Sequence, residues 1–318
     1  MMNMNRKKAE LLMTSVSLAW GSSYLLMKIG LEGISPFNLI AMRFGIAFVG
    51  MSLIFLPRFR QITTNILKKG LLLGGLLFLI FTGLVFGVNH TEASTAGFLA
   101  STTVIIVPIL ESIIKRRLPE KSVALSILPV ITGLYLLTMK DSFFLDRGAV
   151  YCMLAAFFYA IYILVLDRIA KQEDTLLISI IQLGAASGAA IICMMLFEKP
   201  SLPETPPQWG AMLALGLVCS AYGFVIQPVA QKHTSPERIG LIFSLEPVFS
   251  AVLSYIFLHE VLELKGYLGA ALILSGVVLS KLPKRETGKR SSVYKRTDYQ
   301  ESYSYGNCEY IRRYENEN

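Results

Sequence analysis

Two ionisable residues stand inside runs that are otherwise apolar. Glu246 interrupts LIFSLEPVFSAVL and Arg43 interrupts NLIAMRFGIAF. A charge in such a setting is either neutralised by a partner or kept for a task. A carboxyl there can load a proton on one side of a barrier and release it on the other, and a guanidinium can take a carboxylate through two parallel N–H bonds. Each also has a purely structural reading. Arg43 can be half of a salt bridge or be capped by backbone carbonyls, and Glu246 can steady a kink before Pro247. Lys28 and Glu111 lie nearer the ends of their runs, where a long side chain reaches water.

Aromatic and small polar residues form the next groups. Trp20, Tyr24, Tyr159, Tyr162 and Tyr222 stand in mid-run rather than only at the run ends, where interfacial aromatics collect. Together they suit a cavity for a moderately apolar or amphipathic molecule, oriented by indole and phenol groups. Steps of three and four place Ser94, Gly97, Ser101, Val104, Pro108 and Glu111 on one helix face, and Glu237, Gly240, Ser244, Pro247, Ala251 and Ser254 on another. Such stripes either let helices pack closely or line a cavity to which Pro108 and Pro247 would free backbone carbonyls. The candidate binding residues are therefore Trp20, Ser23, Tyr24, Arg43, Gly97, Ser101, Tyr159, Tyr162, Tyr222, Gln227, Gly240, Ser244 and Glu246.

What must position these residues follows from composition. The 318 residues are 53% hydrophobic and 16% charged, with a mean hydropathy of +0.54, too apolar for one soluble core. A membrane helix needs roughly 20 mostly apolar residues. Ten such runs are present, at 9–30, 36–57, 70–89, 93–114, 122–139, 148–166, 175–197, 209–231, 236–258 and 264–281. They are too long for membrane strands and lack period-two alternation, so the expected fold is an all-α integral membrane protein of ten transmembrane helices.

The 30 Lys and Arg set its orientation. With the N-terminus inside, only Lys140, Arg147, Lys199 and Lys265 fall in outer loops and Lys28 and Arg43 within helices; the rest lie on the inner side. Both termini are therefore expected in the cytoplasm, in the cell (cytoplasmic) membrane. Arg6-Lys7-Lys8 before an apolar run resembles a signal peptide, but Trp20-Gly21 and Lys28 stand where a small-residue cleavage site belongs, so this run is the first helix. Cys152, Cys193 and Cys219 lie within runs and Cys308 in the tail, in no disulfide or metal spacing.

The chain also repeats itself. His90–Arg117 and His233–Glu260 align at a constant offset of 143, matching His90/His233, Thr91/Thr234, Gly97/Gly240 and Ser101/Ser244, and the register persists to Gly133/Gly276. Trp20 and Tyr159 match in the first and sixth runs, as do Ser23 and Tyr162. Two homologous halves are expected, 1–140 and 141–282, followed by a charged, Tyr- and Ser-rich disordered tail, 283–318. Five crossings per half make the second half enter from the opposite side, giving two inverted five-helix repeats. Secondary transporters with this architecture hold substrate near the midplane between repeats.

The residues that carry a family resemblance are LAWGSSYLLMK (18–28), SPFNLIAMRF (35–44), TEASTAGFLASTTVIIVPIL (91–110), FYAIYILVLDR (158–168), SAYGFVIQPVA (220–230) and SPERIGLIFSLEPVFSAVLSYIFLHEVL (235–262). In this order the chain resembles the EamA-type members of the drug/metabolite transporter superfamily over about residues 9–282. The resemblance implies a ten-helix carrier, an exporter of small organic metabolites such as amino acids or related compounds. One departure is Lys115-Arg116-Arg117 at the end of the first copy, where the second has His259-Glu260. A membrane-embedded enzyme or lipid-handling protein is the competing class. Against it, His90, His233 and His259 all lie near run ends and no Walker loop is present. The expected partners are a small-molecule substrate, membrane lipids and a coupling proton, with no nucleic acid and no cofactor.

Overall fold

The computed structural model describes residues 6–116, 118, 121–138, 146–170, 175–224, 226–227 and 242–280. Among them every regular element is a helix. In chain order these are α1 (Arg6–Leu31), α2 (Pro36–Ile54), a 3-10 turn (Leu56–Gln61), α3 (Thr64–His90), α4 (Ala93–Ser101), α5 (Thr103–Ile114), α6 (Lys121–Thr138), α7 (Arg147–Ala170), α8 (Thr175–Phe197), α9 (Pro206–Leu213), a π-helical stretch (Ala214–Tyr222), α10 (Glu246–Leu258) and α11 (Leu264–Ser280). Each expected span carries helix, with α4 and α5 sharing the fourth and α9 and the π stretch the eighth. Gly240 and the tail from Pro283 lie outside the described residues.

Local chemistry moves some boundaries. The third helix starts at Thr64 rather than at 70, because the Thr63 hydroxyl accepts the Ile66 N–H at 3.2 Å. Lys68 and Lys69 then ride on its exposed first turns. The eighth span starts at Pro206 rather than at 209. Proline suits a first turn, where its missing N–H costs nothing, and the Gln208 side chain accepts the N–H of Glu204 at 2.9 Å and of Thr205 at 3.3 Å. The fourth span breaks at Thr102, six residues before Pro108, so the break is not the proline's. Ser101, Thr102 and Thr103 instead turn their hydroxyls back onto the carbonyls of Phe98, Leu99 and Ala100 at 2.6, 2.6 and 2.8 Å, a competition that loosens the backbone ladder.

Packing between helices follows the repeat. The first span lies on the ninth (α1 on α10) as the sixth lies on the fourth (α7 on α4 and α5); the third lies on the seventh (α3 on α8) as the eighth lies on the second (π stretch on α2). The third also lies on the sixth as the eighth lies on the first, while α2 on α8, α4 on α10 and α6 on α11 map onto themselves. Exchanging spans one to five with six to ten thus returns each of these pairings, as two inverted five-helix repeats require.

The α6–α11 crossing shows this register at atomic detail. A Cβ on Gly133 would sit 2.5 Å from the Gly269 carbonyl oxygen, and one on Gly276 would meet the Ser126 carbonyl at 3.0 Å. At the offset of 143, Gly133 corresponds to Gly276 and Ser126 to Gly269, so the two approaches are one contact seen from each repeat. Because the obstacle at Gly133 is backbone, Gly133→Ala is expected to cost about 1–3 kcal/mol, the range for overpacking. Thermal unfolding in detergent should show a Tm several degrees lower. Gly75→Ala, whose Cβ would meet nothing within 4 Å, should leave Tm in place. Equal Tm values for both variants would show that this crossing yields.

Two side chains expected to reach out of the bundle do so in different ways. Half-buried Glu111 pairs with exposed Lys115 one turn on. Lys28 donates to the carbonyls of Val88 at 3.0 Å and Thr91 at 2.8 Å, placing its charge on the negative end of α3. Large apolar side chains such as Leu53, Leu128, Ile192 and Phe257 are exposed along the outside of the spans.

Candidate functional site

The ninth span is helical at Ile242 and Phe243, turns at Ser244 and Leu245, and restarts as α10 at Glu246. Pro247 sits in the first turn, so the restart loses no hydrogen bond. Ser244 and Leu245 correspond at the repeat offset to Ser101 and Thr102, where the fourth span breaks, so each repeat interrupts the same helix at the same place. Glu246 stands at the positive end of α10 and accepts a hydrogen bond from the Tyr24 hydroxyl at 3.0 Å. Gly21 lets α1 come this close, since a Cβ there would lie 2.7 Å from the Glu246 carbonyl oxygen.

Arg43 lies deeper, 2% exposed. Its guanidinium carbon stands 4.4 Å from the Phe81 ring centre and 5.6 Å from that of Phe44, and those rings meet edge to face at 4.8 Å. Nε donates to the Ser220 hydroxyl at 3.0 Å and Nη1 to the Met27 sulfur at 3.5 Å. Among the described residues it forms no ion pair with a carboxylate. Arg43 and Glu246 interact electrostatically without touching.

Ser220 belongs to the π-helical stretch, where the wider turn re-aims side chains and carbonyls. The adjacent Cys219 carbonyl accepts the Trp20 indole N–H at 2.9 Å. Trp20 stacks on Phe243 at 5.3 Å and leans on Phe224 at 6.2 Å. From α7, the rings of Tyr159 and Tyr162 stand 5.9 Å apart, and the Tyr162 hydroxyl donates to Gln182 at 2.8 Å. Tyr24 and Tyr162 are buried, whereas Trp20, Tyr159 and Glu246 keep part of their surface accessible.

Other candidates sit elsewhere. Tyr222 bonds its hydroxyl to Ser15 at 2.7 Å, more than one turn before Trp20 on α1. Ser23 and Ser101 spend their hydroxyls on the carbonyls of Trp20 and Phe98 in their own helices. Gly97 is a packing point, where a Cβ would sit 2.8 Å from the Ser250 hydroxyl. Ser244 is buried in the turn and Gln227 half-buried near the end of the eighth span, while Gly240 falls outside the described residues. Sequence reasoning missed Met27, Phe81, Gln182, Cys219 and Ser220. Only Gln182, an amide in the apolar run LLISIIQLGAA, carried a signal of its own.

A model of the EamA-like transporter family matches residues 7–139 and again residues 146–282. The chain belongs to this family. The EamA-like protein is 28% identical over 280 residues to an uncharacterized transporter of Archaeoglobus fulgidus, with 87% of each chain covered. It is 24% identical over 278 residues to the uncharacterized transporter YoaV of Bacillus subtilis, covering 84% of this chain and 94% of that one. A crystal structure shares its fold with a TM-score of 0.64 at 20% identity, over 87% of this chain and 97% of the other. It is accordingly a multi-pass membrane transporter of the drug/metabolite superfamily, all-helical and built as two inverted repeats.

Proposed function

We propose that this EamA-like transporter exports small zwitterionic metabolites, amino acids or related compounds, by alternating access coupled to a proton. The observation that carries the reading is that Arg43 and Glu246, opposite charges inside the bundle, do not neutralise each other in an ion pair. Charges at membrane depth each cost at least about 2.5–3.5 kcal/mol. A substrate bearing both a carboxylate and an ammonium offsets both, the first at Arg43 and the second at Glu246. Trp20, Tyr159 and Phe243 offer apolar walls to the rest of the molecule. The interrupted fourth and ninth spans supply elements that can rock about this point.

Counterflow in proteoliposomes tests the reading. Vesicles loaded with unlabelled amino acids should take up labelled ones of the same kind, best for those with apolar or aromatic side chains. Exchange of none of them, with lipid turned over or moved between leaflets instead, would give the protein to the lipid-handling class.

We place it in the cell membrane with both termini in the cytoplasm, from the distribution of its Lys and Arg. A membrane-impermeant thiol reagent on intact cells should miss Cys308 and label a cysteine placed at Lys199 or Lys265. Labelling of Cys308 from outside would invert every loop.

A further inference from the structure

Beyond Glu246, the second repeat holds another carboxylate with an unusual set of partners. α10 ends in a left-handed turn at His259, with φ 55°, and both the His259 and Glu260 N–H groups bond the Ser254 carbonyl. This turn carries Glu260 off the helix axis onto the start of α4, in the other repeat. Its two carboxylate oxygens accept the Ala93 N–H at 3.0 Å, the Ser94 N–H at 3.1 Å and the Ser94 hydroxyl at 2.9 Å. They occupy the positive end of α4, whose first N–H groups have no partner within the helix. Below them the Ser250 hydroxyl donates to the Ala93 carbonyl at 3.1 Å, and Gly97 lets the two helices touch. A second contact of the same kind lies at the same membrane face, where Glu198, just past α8, accepts the N–H groups of Phe37 and Asn38 at 3.1 Å each and so caps α2.

The repeat supplies the counterpart at the other face. Arg116 is also left-handed, with φ 50°, and stands at the offset of 143 from His259. The next residue in register with Glu260 is therefore Arg117. A guanidinium only donates hydrogen bonds and carries the wrong sign for a helix N-terminus. In register, the first copy thus has a base where the second has an acid, and Arg117 itself lies outside the described residues.

We propose that Glu260 is a one-sided latch: it holds the two repeats together at the outer mouth, and because Arg117 cannot repeat the contact at the inner mouth, the unloaded carrier rests closed to the outside and loads from the cytoplasm. The orientation and the alternating access are those of the proposed function; the latch adds the resting state and, with it, a structural reason for export. Any state open to the outside must first release the three hydrogen bonds of Glu260, whereas an arginine in register with Glu260 has no acceptor with which to gain such a set.

The test reads conformation without substrate. Cys219, fully buried beside Trp20 with its sulfur donating to the Ala19 carbonyl at 3.0 Å, serves as the reporter once Cys152, Cys193 and Cys308 are replaced. An impermeant thiol reagent outside should label Cys219 slowly in this background and roughly tenfold faster in Glu260→Gln, which loses the charge and one of the two acceptors. Arg117→Glu, which offers the inner mouth a carboxylate, should slow labelling from the inside by a similar factor. Unchanged rates in Glu260→Gln overturn the latch. If that variant fails to fold, Arg117→Glu decides alone, and unchanged labelling from the inside overturns it as well. Because no substrate is present, a carrier that exchanges amino acids while Glu260→Gln labels normally loses the latch and keeps the transport reading. Absent counterflow with shifted labelling keeps the latch and removes amino acids as the cargo.

Discussion

Replacing Glu246 with glutamine is expected to abolish accumulation of substrate against a gradient while exchange at equal concentrations continues. Glutamine keeps the oxygen that accepts the Tyr24 hydroxyl at 3.0 Å and keeps the side-chain size, so the contact between α1 and α10 survives. What it cannot do is exchange a proton. The carboxylate is stable at this depth only while something offsets its charge. Arg43 interacts with it without forming an ion pair, so in the proposed mechanism that offset falls to a proton or to the ammonium of a bound substrate. On that mechanism the two compete for one group, and competition for a shared site couples their movements. In proteoliposomes with an imposed pH gradient the accumulation ratio should rise well above one for the natural chain and stay near one for Glu246→Gln, with counterflow retained. Accumulation by the variant would make Glu246 structural and send the search for coupling to an imposed sodium gradient.

The sequence made the architecture legible because a bilayer leaves the backbone few choices. Runs of apolar length imply helices, and the offset between His90–Arg117 and His233–Glu260 implies the pseudo-symmetry that the packing then follows. The repeat also pairs the breaks in the fourth and ninth spans, since Ser101 and Ser244 match at that offset. Their cause is less legible. Pro108 draws the eye, yet the fourth span breaks at Thr102 through three hydroxyls competing for carbonyls, a local effect that no period reveals.

The site was legible where a charge or a mid-run aromatic marked it. Arg43 and Glu246 stand out in any apolar run, and Trp20, Tyr24, Tyr159 and Tyr162 stand out as aromatics in mid-run. Phe81 is one phenylalanine in LFLIFTGLVF, and nothing in that run shows that its face meets a guanidinium. Ser220 is placed by a π-helical stretch, which has no sequence period to detect. Sequence reasoning left Arg43 as half of a salt bridge or as capped by backbone carbonyls. Instead the second span packs on the seventh and eighth, so its arginine finds aromatic faces, a hydroxyl and a thioether.

That environment sets the expected result for Arg43→Lys, a loss of roughly 100-fold in kcat/KM for exchange of a zwitterionic substrate. Lysine preserves the charge but lacks the planar face that rests on Phe81 at 4.4 Å and the Nε that Ser220 receives at 3.0 Å, and it cannot present a two-pronged edge to a carboxylate. Losing a hydrogen bond to a charged group costs up to about 3 kcal/mol, and each 1.4 kcal/mol is tenfold, which gives the factor. A structural role for Arg43 would also lower exchange, by destabilising the bundle, so the rate alone does not separate the readings. An amine analogue of the same substrate without its carboxylate does. It has nothing to gain from the guanidinium, so the ratio of variant to natural rate should stay near one for the amine while falling about 100-fold for the parent. If both substrates lose activity equally, Arg43 supports the fold through Phe81 and Ser220, and the carboxylate of the substrate is held elsewhere.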